Sequence, residues 1–169
     1  MRKAFTLIEL IISIAILSIL MLFLYKSYSM LNRSNTLISK EISTLKKFEL
    51  IKKIVYMDFT LSLSKSTKVL NQERDEDVVF LQTSNSIHDR VNPYVAYIVK
   101  NKKLYRLESL KPFKEYPLTS DAEYEADELG EIKSFRTYAS SNKSLSLYLV
   151  HIVFKDKREI LLKIKAFNS

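Results

Sequence analysis

KAFTLIELIISIAIL occupies residues 3–17 and sets one carboxylate, Glu9, inside an apolar run that begins almost at the first residue. The run continues to Tyr25 without a second charge. A bilayer core of about 30 Å needs about 20 apolar residues at about 1.5 Å each. Residues 5–25 therefore suffice for one membrane-spanning helix, and the rest of the chain offers no second candidate. A carboxylate at the centre of such a span costs about 2.5–3.5 kcal/mol on insertion scales. Glu9 stands only about 6 Å past Phe5 along a helix, so its cost is smaller but still unfavourable. A compensating group for Glu9 has to be found.

The remaining sequence narrows the classes. A chain of 169 residues fits one ordinary domain plus an appendage. The net charge is +8, but the cations are scattered (Lys40, Lys46, Lys47, Lys52, Lys53, Lys100, Lys102, Lys103), with no arginine-rich arm or finger motif. That pattern reads as a solvated or membrane-facing basic surface and makes nucleic acid an unfavoured partner. There is no cysteine, which excludes structural disulfides, thiolate metal sites and cysteine nucleophiles. The single glycine, Gly130, excludes phosphate-cradling glycine loops and Asn-Gly hairpin turns. All three prolines, Pro93, Pro112 and Pro117, lie in the second half, so nothing before them forces a helix to break.

A secretory signal fits poorly. The basic start is only Met1-Arg2-Lys3, and the apolar stretch exceeds the usual 7–15 residues. A plain signal anchor fits the length but leaves Glu9 without a purpose. Cutting the Ala4–Phe5 bond would supply one. The new α-amine of Phe5 would stand one helical turn from Glu9. In a packed assembly, the amine of one subunit can meet the carboxylate of another. That attraction is far stronger in low dielectric than in water, and a buried pair of this kind selects a register.

The run AFTLIELIISIAIL, residues 4–17, resembles the N-terminal cleavage and methylation motif of type IV pilins and of the pseudopilins of type II secretion systems. The resemblance implies a leader of residues 1–4, cleavage between Ala4 and Phe5 by a membrane-embedded prepilin peptidase, and N-methylation of Phe5. Glu9 then stands at the family's fifth mature position, where it acts in assembly with a neighbouring Phe5 amine. Two positions depart from the family pattern. Ala4 replaces the usual glycine before the cut, and Lys26 stands where major pilins commonly carry proline. The hairpin-like VAYIVKNKKLYRLES, residues 95–109, also looks like the sheet of larger minor pseudopilins.

Beyond Lys26, Leu31, Ile38, Ile42, Leu45, Phe48, Ile51 and Val55 recur in steps of three, four and seven. The spacing predicts one helix from about Thr6 to about Tyr56, apolar all round at first and amphipathic later. A break into two helices at the helix-weak Asn32-Arg33-Ser34-Asn35 is the alternative. Residues 57–77 alternate and then become a charged loop, Asn71 to Asp77. Its acids, Glu73, Asp75, Glu76 and Asp77, could bind calcium but lack the spacing and glycine of an EF-hand, so the loop reads as solvated. Strands are expected at 77–83, 93–100, 103–109, from 132, at 144–155 and at 158–167, with tight turns at Asn101-Lys102 and Asp156-Lys157. The acidic Asp121 to Glu131 reads as a helical turn or exposed loop. Helix first and strands after imply an α+β fold, a long N-terminal helix packed on an antiparallel β-sheet with one buried face.

No constellation for catalysis stands out. His88 lies in a polar loop and His151 in a strand, and no serine occupies a nucleophile elbow. The chain reads as no enzyme, binding no cofactor and no metal. The expected organisation is a leader at 1–4, a transmembrane helix at 5–25, its amphipathic continuation at 26–56 and a globular α+β head at 57–169. The resemblance implies a minor pilin or pseudopilin with prepilin peptidase, other pilin subunits and the inner membrane as partners. Arg2 and Lys3 favour a cytoplasmic N-terminus and a periplasmic head before incorporation into a pilus or pseudopilus. The alternative is a signal-anchored periplasmic domain, an adhesin or DNA binder, that does not assemble.

Overall fold

A computed structural model describes residues 6–63, 66–72, 75–119, 123–140 and 146–167. One helix, α1 (Leu7–Thr60), precedes seven strands: β1 (Lys68–Leu70), β2 (Val78–Gln82), β3 (Tyr94–Lys100), β4 (Lys103–Ser109), β5 (Glu125–Ala139), β6 (Leu147–Phe154) and β7 (Glu159–Lys165). The chain divides into two compact units, Met1–Phe48 and Glu49–Ser169.

In the first unit α1 runs unbroken through residues 32–35. Several of its serines and threonines return their hydroxyls to the preceding turn: Ser13 to the Glu9 carbonyl, Ser18 to Ile14, Thr36 to Asn32 and Thr44 to Lys40. The bond from Thr36 to the Asn32 carbonyl spans the 32–35 stretch within the helix. The apolar side chains from Leu7 to Leu45 are exposed. One helix is long and apolar enough to cross a membrane.

In the second unit the last turns of α1 bury Ile51, Val55, Asp58 and Phe59, an i, i+4, i+7, i+8 stripe. The helix ends at Thr60 rather than near Tyr56, because Asp58 and Phe59 are both anchored in the core. The sheet is a meander of seven strands in chain order, antiparallel throughout. Within the alternating stretch at 60–70, β1 is strand and Ser62 makes an isolated antiparallel bridge to Thr83.

Two turns set the register. Asn101 and Lys102 both take positive φ, 53° and 59°, as a two-residue turn of type I′ requires, and they pair Lys100 with Lys103. Between β6 and β7, Phe154 N–H donates to the Arg158 carbonyl (2.8 Å), with Lys157 at φ 71°.

The acidic stretch from Glu125 to Glu131 is strand, not a turn or loop. It forms the first half of β5, paired with β4, and the second half of the same strand pairs with β6. Register shifts at Leu104/Tyr105 and Ile132/Ser134 flank the changeover, and Gly130 there adopts φ 143°. The strand survives its acidity because cations reach it from elsewhere: Lys103 to Glu128 (3.0 Å), Lys155 to Glu131 (2.6 Å) and Arg90 to Glu125 (3.2 Å), with the His88 ring 2.7 Å from Glu125.

Both faces of the central strands are buried, not one. Phe59 of α1 lies against Tyr97 and Tyr148, with ring centroids 6.2 and 5.5 Å away. On the opposite face Val78, Phe80, Ala96, Ile98 and Leu107 form a second cluster, covered by Phe113 and Leu118 from the β4–β5 connection. This double cover explains the near-continuous apolar runs of β2 and β3.

Candidate functional site

The described N-terminus begins at Thr6, so Ala4 and Phe5 lie outside the described residues. Thr6 is the N-cap of α1. Its backbone N–H and its hydroxyl both donate to Glu9 Oε2, at 2.9 and 2.7 Å, and Glu9 N–H donates back to Thr6 Oγ1 (3.4 Å). This is a reciprocal capping box, Thr-x-x-Glu. It gives Glu9 a local partner within its own subunit and leaves Oε1 unengaged among the described residues. The Thr6-x-x-Glu9 spacing of that box stands in the sequence itself.

The core of the head holds a cluster of buried charge centred on Arg106. Arg106 on β4 is wholly buried between two wholly buried carboxylates, Asp58 of α1 and Glu108 of β4. Its Nε and Nη2 donate to Asp58 at 2.8 and 3.2 Å, and Nη1 donates to Glu108 Oε2 at 2.6 Å. Nη2 also donates to the Asn85 carbonyl (3.2 Å). Tyr97 OH donates to Asp58 Oδ2 (2.5 Å), and Asn85 Nδ2 donates to Asp58 Oδ1 (2.7 Å). Ser86 Oγ and Ile87 N–H donate to Glu108, at 2.5 and 3.1 Å. Every buried charge is thus paired and hydrogen-bonded, the condition under which such a cluster is tolerated.

Burial alone would lower the affinity of Arg106 for its proton. The hydrogen bonds and charge of Asp58, with Tyr97 and Glu108, outweigh that effect and hold the guanidinium above its ordinary value. Burial would likewise raise Glu108, but Arg106, Ser86 and the Ile87 amide hold its carboxyl below the usual range. Burial and then the charge of Asp58 push the Tyr97 phenol well up, so it remains a donor.

His88 sits at the rim of this cluster. Its Nδ1 lies 2.7 Å from Glu125 Oε2 and its Nε2 3.0 Å from Asp127 Oδ2. Ser86 Oγ accepts from the backbone amides of His88 and Arg90 (3.1 and 2.8 Å) while donating to Glu108. Both ring nitrogens are thereby committed to carboxylates and neither is aimed at the Ser86 hydroxyl. The arrangement pins the 84–92 loop to β4 and β5. His151 faces Glu159 on the neighbouring strand at 3.4 Å.

The acidic loop is exposed at Asn71, Gln72 and Asp75, as a solvated segment should be, but it ends on a buried acid. Asp77 is wholly buried, accepting from Asn71 Nδ2 (3.1 Å), Gln72 N–H (3.3 Å) and Thr137 N–H (2.9 Å). Arg136 reaches Asp75 and Asp77 at 3.3 and 3.5 Å. Glu73 lies outside the described residues. Among the described residues no group of three His, Cys, Asp or Glu is placed to hold a metal ion. Asp77 instead ties the loop before β2 to β5.

The sequence did not disclose Asp58, Arg106, Glu108 and Asp77 as a set, although each left a trace. Leu104, Arg106 and Glu108 alternate with Tyr105 and Leu107, so one face of β4 carries both charges. Asp58 falls seven residues after Ile51, on the buried stripe of α1.

No curated protein and no solved structure matches the chain. A family model described as the prokaryotic N-terminal methylation motif matches residues 1–25. The motif implies processing by prepilin peptidase and association with other pilin subunits, and with the long apolar helix it fits a single-pass, membrane-anchored protein. Residues 1–25 thus carry the signal of the type IV pilins and pseudopilins, and the chain goes on as a long apolar helix and then an antiparallel β-sheet, an α+β arrangement.

Proposed function

We propose that the chain is a minor pilin or pseudopilin subunit. Prepilin peptidase cuts it between Ala4 and Phe5, Phe5 is N-methylated, and the N-terminal helix then enters a type IV pilus or a type II secretion pseudopilus. The observation that carries this reading is the methylation motif at residues 1–25. The exposed apolar surface of α1 from Leu7 onward supports it, because that surface requires lipid or other helices as cover. Before assembly the N-terminus faces the cytoplasm and the head the periplasm, with Arg2 and Lys3 retained inside. We read the head as a packed scaffold, with Arg106, Asp58, Glu108 and Tyr97 turned on one another in its core.

The test is N-terminal mass spectrometry of the membrane-extracted chain from cells with and without an active prepilin peptidase. A chain beginning at N-methylated Phe5 only when the peptidase is active is the expected result. An intact Met1 in both strains would overturn the proposal and leave an anchored domain that does not assemble. Isolation of sheared fibres then tests incorporation directly.

A further inference from the structure

The exposed part of α1 beyond Tyr25 carries a second pattern. Leu24, Tyr28, Leu31, Asn35, Ile38, Ile42 and Leu45 follow one another in alternating steps of four and three. This is an unbroken a/d seam, with Tyr28, Asn35 and Ile42 at a and Leu24, Leu31, Ile38 and Leu45 at d. The seam is uncovered: Leu31, Ile38, Ile42 and Leu45 are 63%, 54%, 46% and 53% exposed. The cations Lys26, Arg33, Lys40 and Lys47 recur every seven residues at f, the position farthest from the seam, so they stay clear of whatever covers it. At the positions flanking the seam, g holds Ser27, Ser34, Glu41 and Phe48, and e holds Tyr25, Asn32, Ser39 and Lys46. Glu41 and Lys46 are the charged residues there, and neither has an ion-pair partner among the described residues.

We infer that residues 24–48 of two copies pair as a parallel, in-register, two-stranded coiled coil, with Asn35 facing Asn35 of the second copy and Glu41 facing Lys46 of the second copy. Three observations select this occupant. A parallel pair joins each g residue to the e residue five positions on in its partner, and position 41 leads to position 46. Each copy's acid therefore meets the other's base, twice per dimer. An antiparallel pair would set g against g and e against e and leave both charges unmatched. A slip of one heptad would set Asn35 against Ile42 or Tyr28 and bury an amide without a partner. A lone polar residue at an a position is a known device for fixing register and strand number. The parallel direction follows if both copies are anchored in one bilayer by residues 5–25, and to that extent the inference rests on the anchored reading. Three heptads are marginal for free helices, but anchoring in a shared membrane raises the effective concentration.

The chain's lack of cysteine makes the test direct. Full-length N35C, I38C and R33C variants are placed in membranes and oxidised mildly. Disulfide-linked dimers are expected for N35C and I38C and about tenfold less for R33C. In the I38C background, E41K or K46E alone turns two attractions into two repulsions and should cut the linked fraction about tenfold, and E41K/K46E together should restore it. Equal linking by R33C, no recovery in the double exchange, or linkage chiefly to a different protein would each overturn the pairing. The readout works whether or not residues 1–4 are removed, so a failure of the processing reading is seen separately.

Discussion

Glu9 bears on two demands that the sequence made to seem like one. A carboxylate near the start of a spanning helix needs a partner, and Thr6 supplies one within the subunit by donating twice to Oε2. This lowers the cost of carrying Glu9 before any neighbour arrives, and Oε1 is left for a second donor. Glu9→Leu should therefore still insert and still be cleaved, while its first-turn amides exchange faster for loss of half the capping box, worth about 1 kcal/mol. It should also fail to enter fibres alongside other subunits. Hydrogen exchange and sheared-fibre composition check the two effects, and a variant that assembles like the wild type removes the neighbour's amine from the account. In the head, Arg106 has the same logic in a drier place. Arg106→Met leaves Asp58 and Glu108 buried without their counter-charge and should cost about 3–5 kcal/mol in urea unfolding. The pH dependence has a definite sign. Glu108 is held below its unfolded value of about 4.3, so its contribution is complete above that pH and is lost as pH falls through the lower folded value. Glu108→Gln should lower stability at neutral pH and flatten the fall that sets in as pH drops below the unfolded value of about 4.3. Some slope should persist, because Lys155 holds Glu131 down and Arg158 holds Asp156 down on the surface.

The elements differ in how openly the sequence declared them. The hairpin at 94–109 was legible because alternation on both sides enclosed Asn101-Lys102, and both residues take the left-handed conformation such a turn needs. Lysine gains nothing from that conformation, and Lys102→Gly should stabilise the head by about 1 kcal/mol in thermal unfolding. Gly130 is the opposite case. An added Cβ would meet only Phe154 at ordinary contact distance, but φ 143° is open to almost no other residue. Gly130→Ala should destabilise by about 1–3 kcal/mol through backbone strain where β5 passes from β4 to β6. β5 itself was hidden. Glu125, Asp127, Glu128 and Glu131 gave its first half the composition of a loop, and the side chains that partner them, His88, Arg90, Lys103 and Lys155, come from other parts of the chain. A local window sees the acids and not the partners. The end of α1 was misplaced for a related reason, since Asp58 reads as a surface residue until Arg106 is set against it.

At the scale of the whole molecule, the sequence declared the parts that work through local pattern: the signal at residues 1–25, the long helix, the helix-then-strands order. It concealed what depends on contacts between distant residues, of which the bond from Arg106 to Asp58, 48 positions apart, is the chief example. That division predicts where the chain can be cut. The unit Glu49–Ser169 contains its own core, and the helical segment from Glu49 to Thr60 belongs to it. Ile51, Val55 and Phe59 are buried there at about 1.5–3 kcal/mol each, Asp58 holds Arg106 and Tyr97, and the Thr60 carbonyl accepts from Phe167 N–H. Together the three apolar side chains are worth about as much as the net stability of a small domain, about 5–15 kcal/mol. A fragment of residues 49–169 should therefore unfold cooperatively in urea with a sharp loss of near-ultraviolet tyrosine signal. A fragment of residues 61–169, shorter by twelve residues, should show no cooperative transition, because it keeps the strands but strands Arg106 and Glu108 without Asp58 and opens the helix-facing side of the sheet. If the shorter fragment unfolds at the same urea concentration as the longer one, the sheet stands without the helix and the Asp58–Arg106 contact is not what completes the head.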